Sequence, residues 1–344
     1  MRPRLKPFHL IRTDGVLELK REPGVYFELS DEDGQVEALL TLLDGEHDLA
    51  QIHAALPGLS EPDIEAAVKA LDANDLLVDA DAEHYGPELD RYASNLAFFS
   101  TFASLDTSAL DMHQRLRDAH VVLLGVGGLG STLLLSLAGA GVGRLTVVDN
   151  DNVEIKNLTR QFLYTTEDVG QPKLERALAR ARAVNPELRI DGVSQWVTEP
   201  GHILPLIDGA DLVLCGIDKP AGIRNIVGRA CVTAGAPMLT GGMWASRGTY
   251  YGFIPGRQGC IDCKDNAPAR LTWSAPVGKV NRAMGPMAAV ISGMMAMDAL
   301  RLLTGFAPPV SLGRLWLIDL VSGETAVHRE WDRLPDCPTC GHLE

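Results

Sequence analysis

The stretch HVVLLGVGGLGSTLLLSLAGAGVGRLTVVDND, residues 120–151, joins two apolar runs through a glycine-rich turn and a helical segment. The pattern predicts a strand over His120–Leu124, a helix over Ser131–Ala140 and a second strand over Leu145–Val148. The turn before the helix contains Gly125, Gly127, Gly128 and Gly130. Such glycines let the backbone bend tightly, approach a phosphate and pack a helix against a strand, while the helix amides face the anion. The stretch therefore predicts a Rossmann-like, doubly wound α/β sheet that binds a nucleotide.

The second predicted strand ends on Asp149, near the distance of ~20 residues at which an acid commonly accepts hydrogen bonds from a ribose. Asp151 follows and is a further candidate for nucleotide binding. Taken alone, the glycine turn and its acid favour NAD as the ligand.

Two cations after the ribose acid favour a nucleoside triphosphate over NAD as the predicted ligand. Arg160 lies in NLTRQ, residues 157–161, and Lys173 begins a predicted helix that continues to Val184. A hydride-transfer site has little need of two cations there, whereas Arg and Lys can neutralise the charge that builds on a departing pyrophosphate. The alternative interpretation is that both are solvated charges on a helix surface.

A third acidic candidate follows another apolar run. Leu212–Cys215 is predicted to be a buried strand that leads into Gly216, Ile217 and Asp218. An acid at the carboxyl edge of such a sheet is well placed to hold Mg²⁺. Alternatively, Asp218 caps the helix that follows.

Four cysteines form two Cys-x-x-Cys pairs, Cys260 with Cys263 and Cys337 with Cys340. Two such pairs complete a tetrahedral zinc shell of four sulfurs and leave no position for a substrate, so the predicted zinc site is structural. Two disulfides or unrelated thiols are the alternative. The remaining Cys215 and Cys231 are predicted to be buried thiols.

Composition predicts an intracellular globular protein. The 344 residues allow two domains, and the N-terminal MRPRLKPFHLIR contains no apolar signal core, so a cytoplasmic location is expected. Two apolar stretches, 121–142 and 284–297, are interpreted as core elements because the first holds a glycine turn and the second is short for a membrane span. The net charge of −14 argues against nucleic acid as a partner.

The acidic charge is concentrated near the N-terminus, where residues 1–100 contain 8 Lys/Arg and 21 Asp/Glu. Short strands around Glu18–Leu29, three helical patterns and a returning strand at Leu76–Val78 predict a small winged-helix α+β domain. Ser60 is expected to cap the third helix. The predicted organisation is a winged-helix domain over 1–82, a linker and leading helix over 83–118, and a nucleotide-binding domain over 119–344.

From about residue 90 onward, the chain resembles the ThiF/MoeB/HesA family, bacterial relatives of the ubiquitin-activating enzymes. The matching segments are GVGGLG (125–130), LTVVDNDNVEIKNLTRQFL (145–163), VGQPK (169–173), GID (216–218), CIDC (260–263) and CPTC (337–340). The resemblance implies a homodimeric enzyme that uses ATP and Mg²⁺ to convert a peptide or protein carboxylate into an acyl-adenylate. By residue, it implies Gly127 and Gly128 beneath the phosphates, Asp149 on the ribose, Asn157, Arg160 and Lys173 on the triphosphate, and Asp218 on the metal.

The N-terminal segments LLTLLDGEHDLAQIHAAL (39–56) and GLSEPDIEAAVKALDANDLLV (58–78) resemble the PqqD-like recognition element of enzymes that tailor ribosomally made peptides. The resemblance implies that a leader peptide adds as a strand beside the domain's own strands. The expected groove lies near Val25, Tyr26 and Phe27 and the third helix. The alternative is a dimerisation or packing domain without a peptide ligand.

Three positions depart from the family pattern. Ser94 replaces an arginine that usually reaches the partner's active site, and Lys219 replaces the asparagine that commonly follows the metal-site aspartate. The crossover segment 264–284, whose centre at Thr272, Trp273 and Ser274 is expected to cover the site, contains no cysteine, so no thioester can form there.

The function predicted from these patterns is ATP-dependent adenylation of a carboxylate on a ribosomally made peptide, which the N-terminal domain recognises. One alternative is activation of a ubiquitin-like sulfur carrier, although the simpler family members lack the front domain. Another is a non-catalytic scaffold that binds a leader peptide, and an NAD dehydrogenase is the most distant alternative.

Overall fold

A computed structural model describes residues 1–22, 25–266 and 283–343, so the expected cover around Thr272–Ser274 lies outside the described residues. The chain divides into two units, Met1–Gln114 and Arg115–Glu344. The predicted linker, 83–118, falls mainly in the first unit.

The first unit contains two small sheets and several short helices. Its strands are β1 (Pro3–Leu5), β2 (His9–Thr13), β3 (Val16–Glu22), β4 (Val25–Ser30) and β5 (Leu77–Asp79), and its helices are α1 (Gln35–Leu42), α2 (Leu49–Ala55), α3 (Glu61–Ala73) and α4 (Ala93–Ser100). Strands β2, β3 and β4 form an antiparallel sheet in that order, and β1 pairs with β5. Helix α5 (Ala109–Asp118) contains the boundary between the units.

Alternation and capping explain these elements. Leu17 and Leu19 of β3 are fully buried, with the charged Glu18 between them, so one face of the sheet covers a core that also contains Ile64 and Val68 of α3. The Ser60 side chain accepts a hydrogen bond from the Asp63 amide, which confirms the predicted cap. Within the predicted linker and leading helix, 83–118, a 3₁₀ turn over Pro87–Tyr92 precedes α4.

The second unit is a doubly wound α/β sheet, as predicted. The remaining strands are β6 (His120–Leu124), β7 (Arg144–Val148), β8 (Arg189–Val193), β9 (Leu212–Cys215), β10 (Met238–Trp244), β11 (Arg247–Phe253), β12 (Arg314–Asp319) and β13 (Thr325–Glu330). The remaining helices are α6 (Gly130–Ala140), α7 (Lys173–Val184), α8 (Leu204–Ile207), α9 (Ile223–Ala234), α10 (Ile261–Asn266) and α11 (Gly285–Thr304).

Strand order in this sheet is β13-β12-β11-β10-β9-β6-β7-β8. Strands β10, β9, β6, β7 and β8 are parallel, whereas β11, β12 and β13 are antiparallel. Along β6, Val121 and Leu123 pack in one apolar cluster while Val122 and Leu124 pack in another, so both faces are covered. The chain reverses direction across the sheet between β6 and β9, and ligands of such folds bind at the carboxyl ends of the strands beside this switch point.

Helix α11 is longer than the apolar stretch 284–297 predicted. Its 20 residues are long and apolar enough to cross a membrane by length and composition, so shortness is not what marks it as a core element. Half of its most apolar window is buried, with Ile291 and Met295 in the core and Asp298 hydrogen-bonded to Arg301. The helix therefore packs as a core element against the sheet.

Candidate active site

A cavity of about 830 Å³ opens at the carboxyl ends of the parallel strands in the second unit. It brings together most of the residues that the sequence singled out: Gly125, Gly127, Gly128, Asp149, Asp151, Asn157, Arg160, Lys173 and Asp218. Gly130 is set back behind the turn. One cavity thus holds a glycine turn, cations and acids, which is the arrangement expected of a nucleotide site.

The four turn glycines fall into two pairs. A Cβ at Gly130 would lie 1.8 Å from the Gly125 carbonyl oxygen, and one at Gly125, whose φ is +88°, would lie 2.6 Å from the Ile217 side chain. At Gly127 and Gly128 the nearest atoms would be 3.7 Å away, on the side chains of Gln161 and Met243. Packing requires the first pair to be glycine, whereas the second pair faces open cavity.

Asp149 braces the turn. Its Oδ2 accepts a hydrogen bond of 2.8 Å from the Val126 amide, and its Oδ1 accepts one of 2.8 Å from the Asp151 amide. Burial raises the pKa of this carboxyl, and the two amides and the nearby Lys173 partly oppose that effect. The carboxylate therefore joins the end of β7 to the turn beside the position expected for a ribose.

Lys173 is held in place by Asp151. Its Nζ lies 3.0 Å from Asp151 Oδ2, and its backbone amide donates a hydrogen bond of 2.9 Å to the Asp151 carbonyl. The lysine residue is only 5% exposed, so it is not a solvated helix charge. Two contacts fix this cation at the first turn of α7.

The NLTRQ segment supplies a half-exposed cation above the turn. Asn157 is buried, and its Oδ1 accepts a hydrogen bond of 2.9 Å from the Glu154 amide. This bond fixes the backbone turn that leads to Arg160. The Arg160 Cδ and Nε would lie 3.8 Å from a Cβ at Gly128, and its Nη1 donates 3.3 Å to the Lys156 carbonyl. Arg160 thus stands beside the open part of the glycine turn.

Sequence reasoning named Gln161 in this segment without giving it a role. The residue is 3% exposed, lines the cavity, and its Oε1 accepts no hydrogen bond from any described residue. A buried amide oxygen without a donor is costly, which suits a group that meets a ligand. Its position directly after Arg160 was the available signal.

Asp218 lies at the opposite side of the glycine turn from Asp149. Its side chain is exposed and lines the cavity. Helix α9 begins after Gly222, with no side-chain cap, so Asp218 does not cap it. A carboxylate that faces the cavity is a suitable donor for Mg²⁺.

Arg224 on α9 is a cavity residue that sequence reasoning missed. Its Nη2 donates 2.8 Å to the Gly241 carbonyl, while its Nε has no hydrogen-bond partner among the described residues. No motif identified it, because only the fold brings the first turn of α9 to the end of β10.

The four cysteine sulfurs form one buried cluster in which all four lie within 4.8 Å of one another. Cys260 lies 3.7 Å from Cys337 and 3.9 Å from Cys263, and Cys263 lies 3.3 Å from Cys340. Zinc–sulfur bonds of ~2.3 Å in a tetrahedron separate sulfurs by about 3.8 Å, so the donor set fits that ion. All six cysteines are free and buried, which excludes the disulfide alternative and confirms Cys215 and Cys231 as buried thiols.

The residues between the paired cysteines also contact each other. Thr339 donates a hydrogen bond to Asp262, and Asp262 accepts 2.9 Å from Arg229 Nε and 2.7 Å from Asn225 Nδ2 on α9. Burial would raise the pKa of Asp262, but these donors hold it below its ordinary value. Both cysteine turns are thereby tied to each other and to α9.

A doubly wound sheet with this cavity defines a nucleotide-binding α/β enzyme domain. The sequence model of the ThiF family matches residues 92–339. The chain belongs to the ThiF family, which confirms the resemblance read from its motifs.

Two relatives indicate the range of the family. Sulfur carrier protein ThiS adenylyltransferase of Escherichia coli (strain K12) is 36% identical over 244 residues, which cover 69% of this chain and 92% of that protein. Protein HesA, heterocyst, of Trichormus variabilis is 32% identical over 256 residues, covering 74% of this chain and 90% of that protein. The ThiS relative is named an adenylyltransferase, and the predicted enzyme class, an ATP-dependent adenylyltransferase, is confirmed.

A solved structure extends the likeness across the first unit. The microcin C7 biosynthetic enzyme MccB, in complex with N-formylated MccA, superposes with a TM-score of 0.81 at 20% identity and covers 99% of this chain and 100% of its own. MccB is an Escherichia coli protein. At this identity the likeness establishes a shared fold.

Proposed function

We propose that this chain adenylates a carboxylate, C-terminal or on a side chain, of a ribosomally made peptide, with ATP as the adenylyl donor. The observation that carries the proposal is that Gly127 and Gly128 face open cavity, and that Arg160 and Lys173 line the same cavity. Packing does not require glycine at either position. A phosphate that approaches the backbone does.

In the proposed reaction, a carboxylate oxygen attacks the α-phosphorus of ATP. An acyl–oxygen–phosphorus bond forms, the α–β phosphoanhydride bond breaks, and pyrophosphate leaves with the electron pair. Arg160 and Lys173 stabilise the charge that develops on the leaving group. Asp218 would hold Mg²⁺, which supplies further neutralisation of the phosphates.

The structural role proposed for the other metal is separate. Cys260, Cys263, Cys337 and Cys340 would hold one Zn²⁺, and this set leaves no open position for chemistry. Reduced thiols are kept in the cytoplasm, where we place the protein. We also infer a homodimer, in which Ser94 leaves the partner's site without the usual arginine.

We assign peptide recognition to the winged-helix domain, residues 1–82, in the first unit. Strand β4 is the last in its described sheet and pairs with β3 alone, so its other edge offers backbone groups to an added strand. Tyr26 on β4 is 59% exposed. The matches to the ThiS and HesA relatives leave part of this chain uncovered, which favours a function beyond sulfur-carrier activation.

Exchange of labelled pyrophosphate into ATP tests the proposed chemistry. We expect exchange that depends on a precursor peptide encoded near the gene, and none with a ubiquitin-like sulfur carrier that ends in Gly-Gly. Exchange with the carrier alone would favour the alternative that the relatives' names suggest. Tight peptide binding without exchange would favour the scaffold, and Ser94 would then be the reason.

A pair of edge variants tests recognition. Tyr26→Ala on β4 should weaken binding of the precursor, measured by fluorescence polarisation. Leu10→Ala on the opposite edge strand, β2, is the matched control, because Leu10 is also exposed, at 41%. Equal affinities for both variants and the native chain would refute recognition at β4.

A further inference from the structure

The residues that line the cavity follow the ends of four neighbouring strands, so the strand order gives their order along the cavity. Asp149 follows β7, the glycine turn follows β6, Asp218 follows β9, and Gly241 to Trp244 end β10. If Asp149 marks the ribose, then the turn marks the phosphates and the β10 end lies beyond them. The β10 end is the part of the cavity left for the second substrate, an inference that rests on the proposed function.

Two cations occupy this far part of the cavity. Lys219 follows Asp218, is exposed and lines the cavity. Arg224 lines it from α9 and is fixed by its bond to the Gly241 carbonyl. Neither forms an ion pair with a carboxylate of the described residues. Asp218 precedes Lys219 in the chain, and its charge also acts on Arg224.

The cations have a physical task that a nucleotide alone does not explain. An acceptor carboxylate carries negative charge and must approach a triphosphate that repels it. Positive charge at the acceptor end offsets that repulsion and so strengthens acceptor binding. Lys219 and Arg224 place such charge at this end of the cavity.

We propose that Lys219 and the Arg224 guanidinium bind and orient the acceptor's carboxylate, so that this end of the cavity selects an acid over the corresponding amide. Both are positioning residues for the second substrate. The guanidinium is suited to this task because its donors are planar and permanently charged.

Small probes test the proposal on the intact 344-residue chain. N-acetylglycine and N-acetylglycinamide differ only in the charged group, and saturation-transfer NMR can measure their binding with a non-hydrolysable ATP analogue and Mg²⁺ present. We expect the acid to bind at least about tenfold more tightly than the amide, and Lys219→Asn and Arg224→Gln each to lose about tenfold for the acid.

Control variants separate charge from structural effects. Lys219→Arg keeps the charge and should retain acid binding, and Arg247→Gln removes a cation paired with Asp319 outside the cavity and should change nothing. Equal binding of acid and amide by the native chain, or full acid binding by Lys219→Asn, would overturn the proposal. Discrimination of acid from amide without any binding of the ATP analogue would support the cation pair and overturn the nucleotide function instead.

Discussion

At the scale of single residues, the turn glycines make separable contributions to folding and to ligand binding. Gly127→Ala should leave the melting temperature unchanged and abolish ATP binding, because its Cβ meets open cavity in the free protein and a phosphate in the complex. Calorimetric titration with ATP measures the loss. Gly130→Ala should instead destabilise the protein by at least about 1–3 kcal/mol, since its Cβ would overlap the Gly125 carbonyl. Tight ATP binding by Gly127→Ala would contradict the assignment of Gly127 and Gly128 to phosphate binding.

The charged residues of the cavity should act mainly on the rate. Lys173→Ala and Asp218→Ala should each reduce pyrophosphate exchange by about 100- to 1000-fold, the usual cost of removing one well-placed stabiliser of transition-state charge. Arg314→Ala serves as the control, because Arg314 is exposed, lies 2.9 Å from Glu330 and does not line the cavity. Activity of Lys173→Ala within threefold of the native enzyme would show that the pair with Asp151 is structural.

At the scale of elements, the cysteine cluster joins two distant segments. We expect one zinc per chain, and Cys337→Ala should remove it and lower the melting temperature by more than about 5 °C, since 1 kcal/mol shifts the midpoint by about 2–4 °C at this size. Metal analysis and calorimetry measure the two effects. Cys231→Ala, at a buried thiol outside the cluster, should retain the metal. Zinc-free native protein would refute the site.

The strands and helices near the nucleotide site were predictable because their patterns are strong. Strands β6 and β9 and helix α7 have the predicted bounds, since each is a continuous apolar run or a regular helical repeat between clear breaks. Strands β10 and β11 were not predicted. Glycines interrupt the alternation of apolar and polar residues in these strands. Side chains are excluded at these glycines because α11 packs against the strands: a Cβ at Gly248 would lie 2.2 Å from Ile291, and one at Gly241 would lie 2.7 Å from Met295.

The candidate site was predictable only in part for the same reason. Asp149, Arg160 and Lys173 stand in short motifs, so local sequence identified them. Arg224 comes to the cavity through the packing of α9 beside β10, which no local pattern encodes. The burial of Lys173 against Asp151 also had no sequence signal, because a lysine in a first helical turn is more often solvated.

At the scale of the whole molecule, we expect a homodimer. One chain has a mass of 37.1 kDa, and light scattering at micromolar concentration should give twice that mass. Ser94 stands where the family resemblance places an arginine that reaches the partner's site, so we expect Ser94→Arg to raise the exchange rate. A monomer that exchanges pyrophosphate at full rate would contradict both statements.

The bond between Asp149 and the Val126 amide implies a site that is rigid before substrate arrives. The amide is already engaged by a buried carboxylate, so its hydrogen should exchange slowly with deuterium in the free enzyme and change little on ATP addition. The amides of Gly127 and Gly128 donate to no described residue and should gain protection only when phosphate is bound. Nucleotide binding would then involve little ordering of the turn, so little of its favourable free energy would be lost to chain entropy.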